Sequence, residues 1–384
     1  GKPGQALTEE GIIGAIIELL QRNWALISIV VTLVILVVVP ILILRKYVHL
    51  IANIFQNTHV PLSFTARDYP RVGGEVVDFR AFDGHLLKGV FLKPNPDASQ
   101  KGVVIFAHEL DSDKYSANRY CEALINDGFE VFAFDFRGQG ESIPEDGYKV
   151  RLWPSDREQA DMLGAIAFVE DWLEQQGRPR EVGLVGVSRG AGAAVISAVH
   201  VPSVKAIMID GGFSTDAYLE YLMQRWVGIF AKVRLVYENH HPAFWRFLRW
   251  LTIREVSRRQ NCRFPSVRKS LHRLGAMPLM VIHGEKDGHI PVTQAQMIFE
   301  LARGPKYLWI CPRAKHNQAV VTQPELYGSY SVRFFRQHLC GMVQDEPLRG
   351  DGLLSQIAQP LDEIPRISYT KYTKPDRMRT RARK

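Results

Sequence analysis

The pentapeptide Gly186-Val187-Ser188-Arg189-Gly190 constrains this chain more than any other stretch. A short apolar run, Glu181 to Val185, precedes it, and a run of small residues, Ala191 to Ala198, follows. Strand, tight turn and helix are the context in which G-x-S-x-G becomes a nucleophile elbow. A serine at such a turn has a strained backbone. Side chains in place of Gly186 or Gly190 would collide with the neighbouring strand and helix.

The surroundings extend the pattern. Glu75 to Arg80 and His85 to Leu92 read as two strands around the hairpin signal Asp83-Gly84. Further apolar strands are expected over residues 102–108, 130–136, 204–210, 277–283 and 306–311. Helical patterns lie over 118–127, 158–175 and 327–339. Continuous apolar strands alternating with helices predict an α/β fold, a mostly parallel sheet covered on both faces. One segment, about 214–275, interrupts the alternation. It is helical, aromatic and basic, and it sits between two core strands where an inserted cap would lie.

A serine hydroxyl is a poor nucleophile without a base, and the base needs an orienting acid. In such sheets the order along the chain is Ser, then Asp or Glu, then His, each just past a strand end. After His283 comes Gly284-Glu285-Lys286-Asp287-Gly288-His289, with Asp287 at the tip. Glu285 and Asp210 are the competing acids. After Cys311 comes Pro312-Arg313-Ala314-Lys315-His316, and the interval from Asp287 to His316 leaves room for one helix and one strand. His283 and His289 lie too close to Asp287 in sequence for that layout. The tetrahedral intermediate needs backbone N–H donors. One is assigned to Arg189, first in the elbow helix, and the other to Leu110 in the loop after the third strand. No cofactor or metal is expected, because this chemistry needs none and the four cysteines form no metal-binding spacing.

Five motifs in order give the chain a resemblance to the α/β-hydrolases, covering roughly residues 73–339. They are GVSRG, His108 after the third strand, the D-x-R-G-x-G-x-S loop from Asp135 to Ser142, GEKDGHIP, and Ala314-Lys315-His316-Asn317. The pattern is similar to the serine-hydrolase branch that holds monoacylglycerol-lipase-like and prolyl-aminopeptidase-like enzymes. The resemblance implies Ser188, Asp287 and His316 as a triad. There is one departure. The family usually has His-Gly where this chain has His108-Glu109. Glu109 must then make the loop turn without a glycine's freedom. Its carboxylate must also point away from the oxyanion or meet a cation. The glycines of the 135–142 loop are expected to make a structural turn, with Arg137 paired internally.

Trp24 to Leu44 is 21 residues without a charge, bounded by Trp24 and Arg45-Lys46. At about 1.5 Å per residue it spans a ~30 Å hydrocarbon core. The run is longer than a signal-peptide core, and no A-x-A site follows it. The expected organisation is an amphipathic segment over 1–23, a transmembrane helix over 24–44, a connector over 45–72, a hydrolase domain over 73–340 and a basic tail over 341–384. Within 1–23 a helix starts at an N-cap Thr8. Arg45 and Lys46 against Arg22 favour a cytoplasmic catalytic domain.

The net charge of +8 is segregated. Leu219 to Gly275 carries twelve cations against Glu220, Glu238 and Glu255, and Arg366 to Lys384 carries eight against Asp376. Cap and tail are therefore expected to touch anionic lipid. The aromatic residues of the cap either face the membrane or pack the cap onto the core. No nucleic-acid partner is expected. The reading is a membrane-anchored serine hydrolase of carboxylic esters or thioesters, with a small acyl substrate. An aminopeptidase or amidase, and a catalytically weak membrane scaffold, are the alternatives.

Overall fold

Val76–Arg80 (β1) and Leu86–Leu92 (β2) pair antiparallel, with Gly84 at φ 88° in the turn between them. In this computed structural model, which describes residues 9–94, 96, 98–230 and 241–342, the hairpin forms one edge of an eight-stranded sheet. The other strands are Val103–Ala107 (β3), Glu130–Phe134 (β4), Val182–Val187 (β5), Val204–Asp210 (β6), Leu279–Gly284 (β7) and Lys306–Cys311 (β8). Their order is β1-β2-β4-β3-β5-β6-β7-β8, and every pair from β4 to β8 is parallel. Central strands β3 and β5 are buried along their whole length, as unbroken apolar runs between two helical layers must be.

Two apolar clusters fill the two sheet faces. One packs β strands against helices Asp156–Gln175 and Arg189–Ala198. The other packs them against the segment around Tyr120 and helix Pro324–His338. Helix Asp156–Gln175 starts at a capping box in which Ser155 and Glu158 satisfy each other's backbone N–H groups. The single helix expected over 118–127 is two short ones, Ala117–Tyr120 and Glu122–Asn126, broken at Cys121 (φ −110°). The four cysteines are free. Cys121, Cys262 and Cys311 are buried, and burial pushes each thiol up.

The inserted segment is helical where described: Thr215–Phe230, Pro242–Gln260 and Val267–Arg273. Its aromatics divide by exposure. Tyr218 and Trp245 are buried, whereas Phe247 (48% exposed) and Trp250 (52%) face outward. Lys232, Arg234, Tyr237 and Glu238 lie outside the described residues, as do the Thr8 cap and the basic tail beyond Met342.

Residues 1–55 form a separate unit. It holds helix Glu9–Arg22 and a longer one, Trp24–Asn57, long and apolar enough to cross a membrane. The longer helix does not stop at Leu44, so much of the expected connector 45–72 is helical. Arg45 and Lys46 end the apolar run but are good helix formers, so composition changes while the backbone does not. Pro40 leaves a mark upstream. It has no N–H to give the carbonyl four residues back. The ladder opens into a π turn over Val34–Val38, closed by Val39 N–H to Val34 O.

Candidate active site

Ser188 sits between β5 and helix Arg189–Ala198 at φ 52°, ψ −112°. That left-handed conformation costs a non-glycine residue about 1–3 kcal/mol. The elbow is held by exclusion. A Cβ on Gly190 would lie 2.1 Å from the Ala107 carbonyl oxygen, and one on Gly186 2.6 Å from Ala191 Cα. Ser188 N–H donates to Asp210 O at 2.7 Å, which ties the turn to the end of β6.

Asp287 lies just past β7 and His316 just past β8. His316 Nε2 is 3.0 Å from Ser188 Oγ, and His316 Nδ1 is 2.5 Å from Asp287 Oδ2. The other oxygen of Asp287 accepts from His289 N (2.9 Å) and Ile290 N (2.8 Å). Burial works against the carboxylate. The His316 hydrogen bond and the nearby histidines outweigh it, so Asp287 titrates below the ordinary range and stays ionised. The competitors are elsewhere. Glu285 is exposed and accepts from Arg313 N. Asp210 is buried at the end of β6 beside the Tyr327 hydroxyl. His283 Nε2 donates to Ile290 O (3.0 Å) and lies 3.4 Å from Asp287 Oδ2. His289 is stacked edge-on to His316 at 6.4 Å.

The two residues assigned as oxyanion donors flank the serine. Leu110 lines the small space over Ser188 together with Glu109, Leu152 and His316. Arg189 turns its side chain elsewhere. Its guanidinium is buried over Phe136 and pairs with Glu158, so only its main chain is left for the site. Burial alone would raise Glu158. The Arg189 charge and the Ser155 and Tyr148 hydrogen bonds reverse that and hold it below its ordinary value.

The loop after β3 resolves the His108-Glu109 departure. Its left-handed residue is Asp111 (φ 62°), two positions further on, so no glycine is needed at 109. His108 is buried and its Nδ1 lies 2.6 Å from Glu109 O, while Phe136 N donates to Nε2 at 3.3 Å. The loop is thereby pinned by a neutral imidazole, which burial favours. Among the described residues Glu109 meets no cation. Its carboxyl is buried, takes a hydrogen bond from the Tyr120 hydroxyl at 3.2 Å, and is pushed up to about 7 by burial. It is therefore half protonated near neutrality, a milder neighbour for an oxyanion than a fixed charge. Arg137 is buried and paired with Asp161, Asp83 and Glu145, the internal role expected of it.

Three contributors were not legible beforehand. Gln139 Oε1 accepts from Asp111 N at 2.8 Å and so holds the loop's strained residue. Gly211, at φ 62°, leaves room for the base: a Cβ there would lie 2.2 Å from Asn317 Oδ1 and 3.0 Å from His316 Cε1. The Gly211-Gly212 pair directly after a strand was its signal. Residues 60–62, read as connector, also line the space over Ser188. Among the described residues no group of His, Cys, Asp and Glu has the geometry to hold a metal ion.

Comparison with known proteins places the fold. The profile described as the alpha/beta hydrolase family matches residues 110–327. The uncharacterized protein YfhR of Escherichia coli O157:H7 is 25% identical over 265 residues, 68% of this chain and 80% of that protein. Human protein ABHD12B is 23% identical over 207 residues, 52% of this chain and 50% of that protein. A Pyrococcus furiosus esterase structure has the same fold, with a TM-score of 0.51 at 21% identity, covering 73% of this chain and 97% of the esterase. The chain belongs to the alpha/beta hydrolase family.

Proposed function

We propose that the protein is a membrane-anchored serine hydrolase that cleaves carboxylic esters or thioesters through an acyl-enzyme. The observation that carries this reading is the unbroken hydrogen-bonded chain from Ser188 Oγ through His316 to Asp287, with links of 3.0 and 2.5 Å. His316 Nε2 takes the serine proton as Oγ attacks the carbonyl carbon, and returns it to the leaving oxygen or sulfur. Asp287 fixes the imidazole and stabilises its cation. The Arg189 and Leu110 N–H groups receive the oxyanion. Water, deprotonated by His316, then releases the acid.

An apolar acyl group is favoured by the lining of the space over Ser188, which includes Val60, Pro61, Leu62, Leu110 and Leu152. The anchor is assigned to residues 24–44 of the apolar helix, and Arg45-Lys46 favours a cytoplasmic catalytic domain. Exposed Phe247 and Trp250, with the Arg254 guanidinium 5.4 Å over the Trp250 ring, suit an interface with anionic lipid. The amine pocket of an aminopeptidase finds little support. In the described cap Glu220 pairs with Arg249, and Glu255 with Arg258 and Arg259.

A fluorophosphonate probe tests the nucleophile. Wild type should label and Ser188→Ala should not, with ester turnover falling by roughly a millionfold in the variant. Wild-type protein that stays unlabelled ends the enzyme reading. Aryl esters of rising acyl length, set against aminoacyl amides, test the bond: turnover of amides alone would move the assignment to an amidase.

A further inference from the structure

The space beside Ser188 holds about 10 Å³, room for roughly one water molecule. Ser188 and His316 are 3% and 4% exposed. No ester fits there. Immediately outside lies a second cleft of about 330 Å³, within the range of about 300–1,000 Å³ typical of small-molecule sites. Pro61, Leu62 and His316 line both spaces. Pro61 and Leu62 are thus the partition between the serine and a cleft of substrate size.

The partition belongs to a short strap, residues 58–63, with its own fastenings. His59 Nε2 lies 2.6 Å from Asp111 Oδ2, on the loop that carries Leu110. Ser63 Oγ donates to the backbone carbonyl of His316. Beyond the strap, Phe64 is buried against Tyr120 and under the Arg119 guanidinium, a firm anchor at one end. The His59–Asp111 pair is about half exposed on both sides, so it is a weak latch in water. No described residue of the cap lines the space over Ser188.

We infer that residues 58–63, and not the inserted cap, form the gate of this active site, latched by His59 and Ser63 and opened before an ester can reach Ser188. The inference rests on the reading of Ser188 as nucleophile. Closed, the strap joins the oxyanion loop to the loop of the base. Open, it merges the two spaces into one site whose outer wall carries Lys286, His289 and Lys315. The latch contacts set how often the open state occurs, and hence the rate at which a bulky acyl group is accepted.

The test compares wild type, His59→Ala, Ser63→Ala and the double variant, each also with Ser188→Ala. Labelling rates are measured with a small and a long-chain fluorophosphonate, and amide exchange is followed in peptides covering residues 58–64. The double variant should label roughly tenfold faster with the long probe and faster by a smaller factor with the small one, while its strap amides exchange faster. Faster strap exchange with unchanged long-probe labelling overturns the gate. So does unchanged exchange together with unchanged labelling. Labelling that survives Ser188→Ala, or is absent from every variant, instead removes the nucleophile reading and the gate with it.

Discussion

Two turns meet at Ser188, and they are built on opposite plans. The elbow holds a left-handed serine (φ 52°) by denying space: Gly186 and Gly190 are there because backbone from β3 and the following helix occupies the Cβ positions. The loop after β3 holds a left-handed aspartate (φ 62° at Asp111) with no glycine at all. It is held by two attachments from far away in the chain, Gln139 to its amide and His59 to its carboxylate, and by the adjacent His108 ring at the Glu109 carbonyl. The first turn is specified by what cannot fit, the second by what reaches in. A sterically specified turn fails completely or not at all. A tethered one degrades in steps.

The largest expected effect tests the first half of that contrast. Gly190→Ala forces a methyl group against the Ala107 carbonyl, and should cost about 4 kcal/mol or more, with soluble yield or melting temperature as the readout. A fully folded, active Gly190→Ala protein would break the contrast. Next comes Asp287→Asn, which leaves the elbow intact and should lower kcat by about 10⁴ with a melting temperature near wild type. Glu285→Gln, on the competing acid, should change neither.

The tethered loop should give graded losses. In Gln139→Ala the part-buried Asp111 amide loses its partner, and the loss of one such hydrogen bond costs about 1 kcal/mol. Turnover should fall by roughly tenfold to a hundredfold, mostly in kcat, without loss of fluorophosphonate labelling. A collapse as complete as that of Ser188→Ala would show that the two turns are not held differently. Glu109→Gly should bring no gain in turnover, because Glu109 is not strained where it stands and its carboxyl is turned to Tyr120.

A last test is the pH dependence of stability. Burial pushes Glu109 up to about 7, and burial, with Asp287 and Glu109 nearby, pushes Asp210 up to about 8. Between their ordinary values and these, the folded chain keeps protons that the unfolded chain releases. Stability from this source therefore falls as pH rises from about 4 to 8, and the loss is complete above that. Glu109→Gln combined with Asp210→Asn should flatten the decline of melting temperature between about pH 5 and pH 8. An unchanged slope would mean that other groups carry it.

The contrast also explains what could be read from the sequence. The sheet, the elbow, Asp287 and His316 announce themselves locally, through apolar runs and the residues at their ends. The supports of the second turn do not. Gln139 lies 28 residues from Asp111, and His59 lies 52 away, and nothing in their neighbourhoods marks them as partners. Residues 58–63 are hidden for the same reason: a short polar and proline-bearing stretch has no periodicity, and its place over Ser188 arises only once β5 through β8 are assembled in one sheet. The helix beyond Leu44 is not legible because the apolar run ends where the helix does not.

The buried thiols have one more consequence. Cys121 interrupts a helix on the Tyr120 side of the site, Cys262 follows the cap helix Pro242–Gln260, and Cys311 ends the strand that delivers His316. Each is sealed in the native fold and lies in a different district of the domain. A slow alkylating reagent therefore acts as a clock with three hands. The order in which the three sites are modified reports which part of the molecule opens first, and at what rate, with no label added to the protein.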